Sequence, residues 1–255
     1  MKYNIRLTDK ISNKLTVYET YLYYCLALCT DFNTMESNVK QETLAKFYYE
    51  KEDISNIYID EVRKYLHILE SNRFITIEKS KIKGKFGIFE KCKYKLSNEH
   101  FFMVSNQLYN EPIKKELKGF LILLKSICLN STNLISYTLD ELSKKLKYSR
   151  RQISTYISEL KKLGYLKAEK KGISIIREDL FPLLGSKIDN YRNAIESIIN
   201  QPKVKLSKRY KEYLYAKEND FKDIRDLESF FLYILCGNIH SKDNDKKDNI
   251  QIIMN

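Results

Sequence analysis

The chain repeats itself, and that repeat limits the fold more than any other feature of the 255 residues. Val39-Lys40-Gln41-Glu42-Thr43-Leu44 aligns with Tyr137-Thr138-Leu139-Asp140-Glu141-Leu142 at an offset of 98. Further on, Val62, Tyr65, Leu66, Leu69, Phe74 and Ile75 align with Ile153, Tyr156, Ile157, Leu160, Tyr165 and Leu166 at an offset of 91. The difference of seven residues is a longer turn in the first copy, where insertions are tolerated. The lead-ins correspond too. IRLTDKI from Ile5 resembles FMVSNQL from Phe102, and Leu22, Cys25 and Leu26 fall over Phe120, Leu123 and Leu124.

The second copy carries the clearer local signals. Thr138 and Glu141 form the S/T-x-x-E box that satisfies orphan N–H groups, which predicts a short helix carrying Leu139, Leu142 and Leu146. After Lys147 and Tyr148, Ser149 caps a second helix with Ile153, Tyr156, Ile157 and Leu160 on one apolar face. Gly164 supplies a left-handed exit. Residues 165–169 and 173–176 then read as two short strands around the basic turn Lys170-Lys171-Gly172. Helix, turn, helix and hairpin in this order form a winged-helix pattern.

The first copy reads the same way with weaker caps. Residues 3–7 alternate as a strand, and Thr16 with Glu19 opens a helix carrying Tyr18, Tyr21, Leu22, Cys25, Leu26 and Cys29. A short helix over 39–49 and a longer one over 57–71 follow. Strands over 74–79 and 89–96 flank the Lys- and Gly-rich tip KIKGKFG. The fold class is therefore mainly α with small β-wings (α+β), as two tandem winged-helix domains plus a helical C-terminal extension. Residues 1–110 form the first domain, for dimerisation or backbone contact, and 111–180 the second. Residues 181–240 form the helical extension, and 241–255 are expected to be a disordered tail.

The outer face of the second copy's longer helix follows from 100° of turn per residue. With Ile153 inward, Arg151, Thr155, Ser158 and Lys162 fall within about 40° of the opposite side. Slim hydroxyls suit base edges in a major groove, and long cations suit phosphates. A plain solvated face has the same composition, but the basic turn at Lys170 and Lys171 favours DNA. In the first copy the matching positions are Asp60, Lys64, His67 and Ser71, where an aspartate opposes a phosphate backbone. Its hairpin carries Lys79, Lys81, Lys83, Lys85, Lys91, Lys93 and Lys95 against Glu90 alone. That ribbon reads either as a phosphate clamp or as an edge strand guarded by lysines.

Charge and cysteine usage narrow the class. The net charge is +12, with 15 basic against 8 acidic residues over 111–185 and 17 against 14 over 1–110, which points to a polyanionic partner. The longest purely apolar run, Phe120 to Leu124, is too short to span a bilayer, and the N-terminal MKYNIRLTDK has no apolar signal core. A cytoplasmic location and no membrane partner are expected. Cys25, Cys29, Cys92, Cys128 and Cys236 form no CxxC pair and read as small buried hydrophobes in a reducing compartment. Three histidines, His67, His100 and His240, give no His-x-His motif, and Gly84-Lys85 lacks the rest of a P-loop. No catalytic residue, metal or cofactor is read, and the chain is expected not to be an enzyme.

Two winged helices joined head to tail, with the stronger DNA-reading face on the second, resemble the tandem winged-helix replication initiators of plasmids. The resemblance covers Met1 to about Asp179 and rests on the repeat and the helix face quoted above. It implies a sequence-specific double-stranded DNA-binding protein of a plasmid or phage that binds origin repeats. It also implies a homodimer through the first winged helix and a host replication protein met through the C-terminal extension. Carried over, it makes Arg150, Arg151, Thr155, Ser158 and Lys162 the origin-reading residues. Lys170, Lys171, Lys81, Lys83, Lys85 and Lys64 are expected to add backbone contacts. The chain departs from the family by some 75 residues after the second wing. A transcriptional regulator or partition protein of the same architecture, or a winged-helix protein-interaction scaffold, is the alternative.

Overall fold

The computed structural model describes residues 3–84, 87–97, 99–128, 132–169 and 172–183. The architecture is mixed α+β, with six α-helices and three small antiparallel sheets among the described residues. The first copy runs β1 (Asn4–Thr8), a 3-10 turn at Asp9–Ile11, α1 (Val17–Leu28), β2 (Glu36–Ser37), α2 (Gln41–Tyr49), α3 (Asn56–Ser71), β3 (Ile75–Gly84) and β4 (Gly87–Leu96). The second runs β5 (Phe101–Ser105), a 3-10 turn at Asn106–Asn110, α4 (Lys115–Ser126), β6 (Leu134–Ile135), α5 (Leu139–Leu146), α6 (Arg150–Lys162), β7 (Leu166–Glu169) and β8 (Gly172–Ile175). The sheet orders match, β2-β4-β3 in one and β6-β8-β7 in the other, while β1 pairs with β5 alone.

The repeat extends to backbone conformations that sequence patterning does not display. Glu50 (φ 54°) and Lys147 (φ 55°) close α2 and α5 in the left-handed region, and Arg73 (φ 62°) and Gly164 (φ 76°) follow α3 and α6. Only one of these four is glycine. The others adopt the costlier conformation because it closes the helix end. The same returning bond locks both longer helices, from the Phe74 N–H to the Leu69 carbonyl and from the Tyr165 N–H to the Leu160 carbonyl, at 2.9 Å each.

The two copies meet through their lead-ins. In the β1–β5 ladder Asn4 faces Ser105, Arg6 faces Met103 and Thr8 faces Phe101. With Ile5 matching Phe102, Arg6 faces its own counterpart and the flanking pairs interchange, as across the two-fold axis of a homodimer. The Thr8 side chain accepts from the Lys10 N–H and that of Ser105 from the Gln107 N–H, so even the turn caps correspond. Beyond the ladder, α1 packs on α4. A Cβ on Gly119 would lie 2.0 Å from the Val17 carbonyl oxygen, so the two helices touch backbone to backbone. The apolar run Phe120–Leu124 is fully buried there, the usual fate of a helix that is apolar on most sides.

Lys118 of the same helix is only 1% exposed. Its ammonium donates to a Glu50 carboxylate oxygen at 2.8 Å and to the Tyr109 carbonyl at 2.5 Å. The Tyr21 hydroxyl donates to that same carboxylate oxygen at 2.8 Å, so the buried charge is paired and hydrogen-bonded. Nothing in the periodicity of the sequence marks Lys118 as interior.

Packing divides the chain into two compact units. One contains Met1–Ile127, Tyr137–Leu166 and Arg177–Pro182, and the other includes Cys128–Ser136 and Lys167–Ile176. The first unit therefore runs through residue 110 without a break, because the β1–β5 ladder and the α1–α4 contact tie the lead-ins of both copies together. Within it, the Arg177 guanidinium clasps the carboxylates of Glu111 (2.8 Å) and Asp179 (2.7 Å), and the Tyr165 hydroxyl donates to Glu111 at 2.5 Å. Burial alone would raise the Glu111 carboxyl, but the hydrogen bonds from Arg177 and Tyr165 hold it below the usual carboxylate range. The second unit contains the β6-β8-β7 sheet. There Gly172 (φ 147°) has no room for a side chain, since a Cβ would lie 2.3 Å from the Ile135 carbonyl oxygen.

Several expectations need correction. The first hairpin is longer than the two strands read from 74–79 and 89–96: β3 continues to Gly84 and β4 begins at Gly87. Most of the expected KIKGKFG tip is thus strand, because lysines facing solvent alternate as readily as apolar residues do. The two-residue strands β2 and β6 were not anticipated, being too short to show alternation. Of the four described cysteines only Cys25 is buried, and Cys29, Cys92 and Cys128 are half-buried. The expected helical extension from Leu184 onward and the expected tail over 241–255 lie outside the described residues.

Candidate nucleic-acid interface

Helix α6 is set by its first turn. The Ser149 side chain accepts from the Gln152 N–H while the Gln152 side chain accepts from the Ser149 N–H, a complete capping box. The preceding turn is pinned as well. The Tyr148 hydroxyl accepts the Val17 N–H at 2.7 Å, and the Ser143 hydroxyl donates to the Tyr148 carbonyl at 2.6 Å. Tyr148 and Val17 are 131 residues apart, so no local pattern announces their bond. Ile153, Ile157 and Leu160 are buried, and the half-buried Tyr156 ring lies 4.9 Å from that of Phe120. With these residues inward, the 100° step leaves the other face to water.

That outer face holds Arg151, Thr155, Ser158 and Lys162, all exposed, and Arg150 and Lys161 flank it. Arg150 pairs with Asp140 at 3.2 Å, and both side chains are 66% exposed. A pair so open to water adds little stability and can exchange Asp140 for a phosphate. The Thr155 hydroxyl donates to the Arg151 carbonyl at 2.9 Å, which spends its proton inside the helix. Thr155 can then only accept from an incoming donor, such as an exocyclic amine on a base edge. No ion pair of Arg151 or Lys162 occurs among the described residues.

On the next hairpin, Lys167 pairs with Glu169 at 3.6 Å. Lys170 and Lys171 lie outside the described residues.

The matching helix of the first copy presents Asp60, Lys64, His67 and Ser71, also all exposed. Its charges are spent locally. Asp60 holds Arg63 at 2.6 Å, His67 lies 3.6 Å from Glu70, and the Arg63 Nε donates to the Gln41 side-chain oxygen at 3.2 Å. The aspartate expected to repel a phosphate is thus compensated by the next turn of its own helix.

The hairpin lysines also fall differently from a single clamp. The register pairs Lys79 with Cys92 and Lys81 with Glu90, which puts Lys79, Lys81 and Lys83 on one face and Lys91, Lys93 and Lys95 on the other. Lys93 is engaged with Glu36 at 2.8 Å. Lys81 and Lys83 are exposed, and Lys85 lies outside the described residues.

A tyrosine cluster beneath α3 escaped the sequence reading. The Glu61 carboxylate accepts from the Tyr49 and Tyr65 hydroxyls, the latter at 2.6 Å. The Lys115 ammonium sits 4.2 Å from the Tyr49 ring centre and 4.4 Å from that of Tyr48. Burial opposes the Glu61 charge, yet those hydrogen bonds and the Lys115 cation hold its carboxyl below the ordinary value. Burial lowers Lys115, with Glu61 acting the other way. The cluster ties the start of α4 to α2 and α3, so its chemistry is structural. Its signal in the sequence was the run Phe47-Tyr48-Tyr49, but not the cation that fills it.

No group of three or more potential metal ligands occurs among the described residues, and none of their helices is long and apolar enough to cross a membrane. No family model, curated protein or solved structure matches the chain.

Proposed function

We propose that the two copies are tandem winged helices and that the protein is a non-enzymatic, sequence-specific binder of double-stranded DNA acting at a plasmid or phage replication origin. One observation carries the reading: α6 exposes Arg151, Thr155, Ser158 and Lys162 over a buried Ile153, Ile157 and Leu160, behind a complete capping box. Small acceptors flanked by cations on a rigid helix are what major-groove readout requires. The first copy, with its charges paired locally, serves dimerisation or backbone contact. A host replication protein meeting the C-terminal extension completes the proposal.

The test is binding to duplexes selected from a random pool, read at several salt concentrations. Five to seven phosphate contacts give a log–log salt slope of about −5 to −6. A protein-interaction scaffold gives no duplex binding and no slope, which would end the proposal. A footprint then separates roles: repeats spaced by whole helical turns support an origin, whereas one inverted repeat over a promoter supports a regulator of the same fold.

A further inference from the structure

The largest concavity of the first copy lies beside α3, and neither the repeat nor the DNA reading explains its lining. It is a cleft of about 610 Å³ between the start of α2, one flank of α3 and the inner face of the β3–β4 hairpin. Clefts of this size hold small molecules. Its floor is apolar, from Val39, Leu66, Ile77 and the Tyr94 ring. Its rim is basic, with Lys40, Arg63, His67, Lys79 and Lys91, and no acidic residue lines it.

Two independent features point to a bound anion. The first is the N-terminus of α2, a helix of nine residues whose N-cap is Lys40, so that no side chain caps its first turn. In α1, α5 and α6 a capping box fills that place. Uncapped N–H groups with a lysine beside them favour a phosphate or carboxylate. The second is the Tyr94 hydroxyl on the cleft floor. Tyr94 is 0% exposed, and its oxygen finds no hydrogen-bond partner, although Gln41 and Cys92 lie beside it. A buried polar group left unpaired costs about 1–3 kcal/mol, a penalty that a ligand oxygen would relieve. Burial pushes that hydroxyl up to about 12, so it meets a ligand as a neutral donor.

We infer that this cleft binds a small organic phosphate of the nucleoside monophosphate kind, its phosphate at the start of α2 and its flat body over Leu66, Ile77 and Tyr94. The cationic rim and the uncapped helix select the charged head, and the apolar floor selects a planar body over a bare ion. Because Arg63 and His67 belong to α3, an occupied cleft also covers part of the first copy's outer helix face. The inference stands whether or not α6 reads DNA.

Isothermal titration of the full chain with AMP, adenosine and inorganic phosphate tests it. AMP is expected to bind at one per chain and more tightly than either fragment. Lys40→Glu should weaken AMP about tenfold or more, the worth of one charge-assisted hydrogen bond. Tyr94→Phe should weaken AMP while leaving the melting temperature of the free protein unchanged or raised, because it deletes an unpaired hydroxyl. Three results would overturn the inference. One is no AMP binding at millimolar concentration, and another is AMP binding untouched by both substitutions. The third is displacement of AMP by a random duplex whose own affinity falls equally in Lys40→Glu, which would make the cleft a path for a DNA backbone.

Discussion

Helices α3 and α6 share a skeleton and differ in their skins. Their inner residues correspond one for one, Val62 with Ile153, Leu66 with Ile157 and Leu69 with Leu160, and all six are buried. Their exits are locked by the same returning hydrogen bond. Outside, Asp60, Lys64, His67 and Ser71 stand where α6 has Arg151, Thr155, Ser158 and Lys162. The first set is drawn into pairs within its own helix, Asp60 with Arg63 and His67 with Glu70. In the second set the flanking Arg150 is paired, with an exposed Asp140, while Arg151 and Lys162 are in no described ion pair. Inner positions fix the fold, so they tolerate little change. Outer positions are free to specialise, and here one helix keeps its charge for itself while the other offers it to a partner.

The harshest test of the shared skeleton is a charge in its core. Ile157→Asp and its counterpart Leu66→Asp should each cost about 4 kcal/mol or more and abolish the helical circular dichroism of the first compact unit. Loss confined to one copy would mean that α1 and α4 do not couple the halves. Next comes the joint itself. Gly119→Ala drives a methyl into the Val17 carbonyl and should destabilise by about 1–3 kcal/mol, read as a lower urea midpoint. An unchanged midpoint would show that the helices can part cheaply.

The comparison of surfaces predicts smaller, opposite effects. Arg151→Ala should cost about 1–3 kcal/mol of discrimination between a selected and a random duplex, whereas Asp60→Ala should cost none. Equal loss on both duplexes would reassign Arg151 to phosphate, and a loss in Asp60→Ala would make α3 a reader too. Lys81→Ala with Lys83→Ala should weaken all duplexes alike, by roughly 1 kcal/mol, and flatten the salt slope by about 2 units if both touch phosphate. No change would leave the hairpin an edge guarded by lysines.

The smallest effect is on pH. The Glu111 carboxyl lies below its ordinary value of 4.5, so the Arg177 clasp contributes fully above that pH and is lost as the pH falls through the lowered folded value. Arg177→Met should flatten the acid limb of the stability curve. An identical acid limb in wild type and variant would mean the clasp adds nothing.

The sequence alone carried the repeat, the three capping boxes and the inward residues of α1, α3, α5 and α6, because caps and helical periodicity are local properties of neighbouring residues. It also carried which residues face outward on α6, since burying Ile153, Ile157 and Leu160 leaves no choice for the rest. What it could not carry depends on residues far apart in the chain. The two-fold β1–β5 ladder, the Tyr148–Val17 bond, the paired Lys118 and the cleft ending at the unpartnered Tyr94 hydroxyl all arise from contacts across tens of residues. Two-residue strands and the split of the hairpin lysines between two faces were settled by register, which only the pairing of one strand against another defines.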